Sequence, residues 1–307
     1  MHTVFVTHPD CLKHDMGGYH PECPERLHAI EDQLVASGLM NFLSHRVAPM
    51  ASKDMLARVH AIDYIDWVFS QSPDSGLVHL DADTTMNPYS LNAALHAAGA
   101  GIKAVDLVMS GQAQNAFCSI RPPGHHAARS CASGFCIFNN VAVAAAHALE
   151  HHGLERVAIA DFDVHHGDGT EAIFHDDSRV MLCSTFQHPY YPYSGADSGN
   201  DHIINVPLAA GSSGVEFRRA VTEHWLPALD AFKPQLLFIS AGFDAHHEDE
   251  LGGLAFREAD YLWVTDTLKA MAGKHADGRI VSLLEGGYAL HALGRSVLAH
   301  LKSLSGL

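Results

Sequence analysis

Residues 157–168, Val-Ala-Ile-Ala-Asp-Phe-Asp-Val-His-His-Gly-Asp, run an apolar stretch of strand length directly into a cluster of carboxylates and imidazoles. Runs of the same kind recur at 115–120 (NAFCSI), 180–186 (VMLCSTF), 236–241 (LLFISA) and 280–284 (IVSLL). Longer stretches with helical spacing lie between them, at 90–110, 139–152, 215–232 and 257–273. Strands that are apolar on both faces and alternate with helices predict an α/β fold: a central, mainly parallel β-sheet with helices on both faces. With no repeat, low-complexity tract or linker to split the chain, residues 1–307 are expected to form a single domain. In such sheets the site lies beyond the carboxyl ends of the strands, so the residues after each run carry the functional information.

Those exits are Arg121-Pro-Pro-Gly-His125-His126, Asp161-Phe-Asp163-Val-His165-His166-Gly-Asp168, Ser240-Ala-Gly-Phe-Asp244 and Glu285-Gly-Gly-Tyr288. Side chains two apart on an extended segment share a face, so Asp161, Asp163 and His165 can face one site. Carboxylate oxygen and imidazole nitrogen suit a first-row divalent ion, and Asp244 is the best third ligand from another strand. Taken alone, Asp163 and His165 also read as a buried salt bridge or a helix cap; four such exits in one chain favour a site.

Adjacent histidines are poor joint ligands but suit proton transfer, with Asp161 and Asp168 as the unassigned acids that set their tautomers. The phenol of Tyr288, after two glycines, can donate to a developing oxyanion. As isolated features these would read as surface histidines and a packed aromatic, which is how His151-His152 and His246-His247 are taken.

Bulk properties narrow the partners. A formal charge of -16 argues against the basic stripe of a nucleic-acid binder. Six cysteines, none in a C-x-x-C pair, read as free thiols of a reducing compartment. No apolar run reaches the ~18 residues of a membrane span, so a cytoplasmic protein with no membrane partner is expected. The 25 histidines point toward metal chemistry.

The segments HPECPERL (20–27), RPPGHHA (121–127), GFCIFNN (134–140), DFDVHHGDGT (161–170), AGFDA (241–245) and EGGY (285–288), in this order, resemble the histone deacetylase superfamily, in forms similar to its class II branch. The resemblance implies the arginase/deacetylase fold and a zinc-dependent amidohydrolase that removes acetyl groups from lysine side chains. It implies one Zn2+ on Asp163, His165 and Asp244, His126 as general base and acid, a His125–Asp161 pair, a His126–Asp168 pair, and Tyr288 polarising the carbonyl. Gly134 and Phe135 would line an acyl-lysine tunnel with Tyr191 facing them, although Tyr190 and Tyr193 compete for that place. A structural K+ would sit near Asp161, Asp163, His165 and Ser184. Cys23 replaces an arginine common in class II relatives. A gate position falls on Leu251, which fits acyl-lysine, or with one residue of slip on Glu250, which fits an acetylated polyamine. The substrate is thus an acetylated lysine protein or peptide, or an acetylated amine. A two-manganese ureohydrolase and a non-catalytic acyl-lysine reader are the weaker readings, and a homo-oligomer is left open.

Overall fold

The computed structural model describes residues 3–307. Ten strands follow along the described residues: β1 (Thr3–Thr7), β2 (Ser44–Val47), β3 (Val78–His79), β4 (Thr85–Met86), β5 (Asn115–Cys118), β6 (Val157–Asp161), β7 (Val180–Gln187), β8 (Ile203–Leu208), β9 (Leu236–Ala241) and β10 (Ile280–Leu284). β3 and β4 pair as a small antiparallel ribbon, and the other eight form one sheet in the order β2-β1-β5-β10-β9-β6-β7-β8 with every pairing parallel. The four strands whose exits carry the acids and imidazoles, β5, β10, β9 and β6, are neighbours at its centre. Residues distant in sequence therefore leave the sheet side by side.

Each central strand is buried along its whole length, which is why its sequence is continuously apolar. Helices Ser90–Met109 and Asn140–Glu150 pack together, and helices Glu25–Ala36, Glu258–His275 and Leu290–Ser305 form a second packed group, so the sheet is flanked by helices. Close helix packing on the first side is possible because residues 93–101 and 142–148 are mostly alanine. The expected helix at 215–232 is interrupted: α-helical turns Gly214–Ala220 and Leu226–Phe232 flank a wider π turn at Val221–Trp225. No helix among the described residues is long and apolar enough to cross a membrane, and all six cysteines are free.

A buried ion network ties the segment before the first long helix to the sheet's carboxyl end. Glu22 accepts from both Nε and Nη2 of Arg121, the latter at 2.8 Å, and from Arg26 Nη1 at 3.2 Å. Arg26 Nε in turn donates to Gly287 O at 2.7 Å, in the loop after β10. All three side chains are fully buried, so removing the one carboxylate strands two guanidiniums. Glu22→Gln is expected to destabilise the fold by roughly 3–5 kcal/mol, read as a lower midpoint in urea with unchanged slope.

Candidate active site

β6 ends at Asp161, so the Asp-x-Asp-x-His segment is not extended strand beyond its first residue. The loop after it performs the convergence instead. Asp163 Oδ1 accepts from the backbone N–H of His165 at 2.9 Å, a turn that folds the imidazole back over the carboxylate. His165 Nδ1 then lies 3.1 Å from Asp163 Oδ1 and 3.3 Å from Asp244 Oδ2. The donor atoms of Asp163, His165 and Asp244 all fall within 4.8 Å of one another. Asp161 turns away from this trio toward His125.

These three residues fit a divalent cation. Asp244 Oδ1 accepts from Val164 N at 2.9 Å, but its Oδ2 is buried without a hydrogen-bond partner. Burial and the charge of Asp163 push the Asp244 carboxyl up to about 7, the strain expected of two acids sharing one dry site. Burial opposes a charge on His165, but the two carboxylates outweigh it and raise the imidazole to about 10. A cation among these groups would resolve both. Gly286 makes room: a Cβ there would stand 2.0 Å from Asp244 Oδ2, while its N–H donates to Asp163 Oδ2 at 2.8 Å. Ser184, paired with Asp161 in the ladder, has a buried Oγ with no partner, which suits the expected monovalent ion nearby.

His125 Nδ1 lies 2.9 Å from Asp161 Oδ2, and His126 Nδ1 lies 2.7 Å from Asp168 Oδ1, where Asp168 opens the helix Asp168–Phe174. An ionised carboxylate only accepts, so each Nδ1 carries the proton; on a neutral ring Nε2 is then a free lone pair. The two rings are driven apart electrostatically. Burial works against a charge on His125, yet Asp161 and Asp163 hold it well above the usual imidazole value. His126 is drawn down to about 4, by burial first and then by His125. One imidazolium and one neutral base result, the division expected where two adjacent groups take different roles.

Beside this pair lies a cavity of about 220 Å³ lined by Asp83, His126, Gly134, Phe135, His165, Tyr190, Tyr191, Leu251 and Tyr288. Gly134 has φ +55°, and a Cβ on it would sit 2.4 Å from His126 Cδ2, so only glycine lets this wall approach the base. Tyr191 donates to or accepts from Ser133 Oγ at 2.8 Å and meets the His126 ring edge-on at 5.3 Å. Tyr190 lies nearly parallel to His165 at 5.6 Å, whereas Tyr193 is 74% exposed. Phe135 and Tyr288 meet at 5.8 Å and 87°. Burial pushes the Tyr288 phenol well above its usual value against the pull of Arg26, whose guanidinium lies 4.9 Å from the ring centre, so the phenol stays a donor. Glu250 is exposed and borders an adjoining recess with Glu248 and Pro21, which shares Leu251 and Tyr288 with the cavity.

Several residues at the site escaped the sequence reading. Glu285 Oε2 accepts from the N–H groups of Gly124 (2.7 Å) and His125 (3.1 Å), fixing the histidine loop. Asp249 Oδ2 accepts from Tyr288 N (2.6 Å) and Ala289 N (2.9 Å), and its Oδ1 from Leu251 N (3.0 Å). Asp83 Oδ1 accepts from Gly134 N at 3.0 Å. Glu285 stands within a quoted motif; nothing in its sequence context marks Asp83. One expectation is corrected: of His246-His247, His246 is fully buried, because its Nδ1 accepts from Glu248 N at 3.2 Å and its Nε2 faces Glu258 at 3.6 Å, closing the loop that carries Asp249.

The model of the histone deacetylase domain matches residues 20–304. The chain belongs to the histone deacetylase family. A probable deacetylase of Archaeoglobus fulgidus is 39% identical over 300 residues, covering 94% of this chain and 82% of the relative. A histone deacetylase-like amidohydrolase of Pseudomonas aeruginosa is 38% identical over 97% of this chain and 82% of its own length. The human polyamine deacetylase HDAC10 is 36% identical over the whole chain, which spans 48% of that protein. Among solved structures, the HDA15 HD domain superposes with a TM-score of 0.93 at 35% identity, covering 99% of this chain and 88% of that one. As in that family, the chain is a hydrolytic deacetylase with the arginase/deacetylase fold.

Proposed function

We propose that this deacetylase removes acetyl groups from lysine side chains of proteins or peptides, with one zinc ion held by Asp163, His165 and Asp244. The observation that carries the reading is a cavity walled by Phe135 and Tyr191 and lined by His126 and by His165, the donor that joins Asp163 and Asp244. A volume of about 220 Å³ suits a slender acylated side chain better than a bulky ligand. Bound there, zinc would polarise the acetamide carbonyl and lower the pKa of the attacking water. His126 Nε2 takes the proton of that water, the carbonyl oxygen gains a hydrogen bond from Tyr288, and His126 returns the proton to the amine nitrogen as the C–N bond breaks. Asp168 holds His126 in the tautomer this requires. Asp161 keeps His125 charged beside it, which favours the neutral form of His126. A structural K+ near Asp161, Asp163, His165 and Ser184 completes the reading, which places the enzyme in the cytoplasm without a nucleic-acid or membrane partner. At the cavity the donors gather as one trio, Asp163, His165 and Asp244, which supports one catalytic ion over the adjoining pair of a ureohydrolase, and the intact proton-transfer pairs speak against a mere reader.

Leu251, half-buried and lining the cavity, favours acyl-lysine, because an apolar side chain gives nothing to a second ammonium. An acetylated polyamine is the second reading, favoured by Glu248 and Glu250 beside the adjoining recess. The deciding experiment compares kcat/KM of the zinc-loaded enzyme on an acetyl-lysine peptide, free acetyl-lysine and acetylated putrescine, with His126→Ala as blank. Preference for the peptide is expected; preference for the putrescine would move the assignment to polyamines. Activity no higher than the blank on all three would remove the lysine-deacetylase reading.

A further inference from the structure

The helix Asn140–Glu150 starts beside the histidine loop, where Asn140 Nδ2 donates to Pro122 O at 3.0 Å. At 1.5 Å per residue its other end lies about 16 Å away, clear of the active site. There a second set of donors gathers. One oxygen of Asp106, on the helix Ser90–Met109, lies 2.8 Å from His147 Nε2 and 2.9 Å from His152 Nε2. His151 follows His147 by one helical turn, and their rings stack at 4.8 Å and 13°. One donor atom from each of Asp106, His147, His151 and His152 lies within 4.8 Å of all the others.

This is a different object from a patch of surface acids. Three of the four donors are imidazoles, and histidines spaced i, i+4 on a helix can present both rings to one ion. His147 is buried, with its Nε2 aimed at Asp106. His151 is exposed and His152 partly so, leaving an entry path from solvent. We propose that Asp106, His147, His151 and His152 form a second metal site, closed by four protein donors and selective for zinc-class divalent ions that favour nitrogen ligands. Its role is structural: the ion clips the end of one helix to its neighbour.

Arg58 sets the strength of the site. Its Nη1 lies 2.7 Å from His147 Nδ1, and a guanidinium only donates, so without an ion the proton of His147 sits on Nε2 and points to Asp106. Coordination through Nε2 moves that proton to Nδ1, with none released from the neutral ring, and Arg58 withdraws toward Glu150 Oε2, which is already 3.3 Å from its Nε. Arg58 thus competes with the ion. In Arg58→Gln the new amide oxygen can accept from Nδ1–H, and zinc affinity is expected to rise about tenfold, the scale on which outer ligand partners act.

The test uses the full chain, stripped with chelator, reloaded with zinc alone, passed through gel filtration and assayed for bound zinc by mass spectrometry. Two ions are expected in the wild type, and one in His151→Ala/His152→Ala with deacetylase activity retained. The single variant Asp244→Asn should also hold one ion, so the two sites are counted separately. A histidine variant that keeps the wild-type zinc content overturns the proposal, as does weaker zinc binding by Arg58→Gln. Loss of an ion from the histidine variant with none lost from Asp244→Asn supports this site and counts against Asp244 as a ligand of the first.

Discussion

His126→Ala is expected to lower kcat on an acetylated lysine substrate by about 10²–10⁴-fold while leaving zinc content and KM nearly unchanged. An alkylamide nitrogen cannot depart as an anion, and among the described residues lining the cavity His126 is the histidine that the metal trio leaves free. The variant also loses the ring that Gly134 packs against, opening a pocket at the cavity wall. Added imidazole should therefore recover part of the rate, whereas a variant that had merely misfolded would gain nothing. Acting as base requires the neutral ring, so wild-type kcat/KM should climb as pH rises through about 4 and level off above, a limb measured by brief pH jumps and missing from the variant. Unchanged kcat would remove His126 from the reaction.

Asp244→Asn separates catalysis from stability. With Asp244 as a zinc ligand, the substitution removes one of two buried negative charges that bind the ion, so activity should fall below detection as the active-site zinc is lost, with the ion of the second site retained. The metal-free protein should become more stable, by about 1–3 kcal/mol, the scale of satisfying one buried polar atom. The amide in place of the unpartnered Oδ2 removes the repulsion with Asp163, and His165, left with one of its two carboxylates, can lose its extra proton and accept from the amide through Nδ1. Opposite shifts in the melting temperature, upward without zinc and smaller than wild type in the rise that zinc brings, are the expected calorimetric result. A fall in metal-free stability would mean that Asp244 is a structural acid first.

Much of this site was legible because its residues sit at strand exits, where a buried apolar run ends and the next polar side chains have one place to go. The five apolar runs correspond to β5, β6, β7, β9 and β10, and the four exits adjoin in space. What stayed hidden had no such marker. β2, with mostly exposed residues Ser44–Val47, lies at the sheet edge and lacks the apolar signal, and β8 is likewise an edge strand with only its end residues buried. Asp83 and Asp249 act through backbone N–H groups that the chain brings to them from 51 and 39 residues away, a relation no local pattern records. Tyr190 and Tyr191 are adjacent in sequence, so only the turn that carries them sets Tyr190 over His165 and Tyr191 beside His126.

The order of the sheet also bears on how the molecule comes to be active. β5 joins β1 on one side and β10 on the other, with Asn115 opposite both Thr3 and Ile280, so the centre of the sheet closes only when widely separated parts of the chain meet. Such non-local closure is the slow part of folding. The donors come from the ends of β6 and β9 and sit beside the loop after β10, strands that are neighbours in the sheet and far apart in sequence. Hydrolysis thus depends on residues that only the finished order of strands brings together, and no local segment of the polypeptide carries it alone.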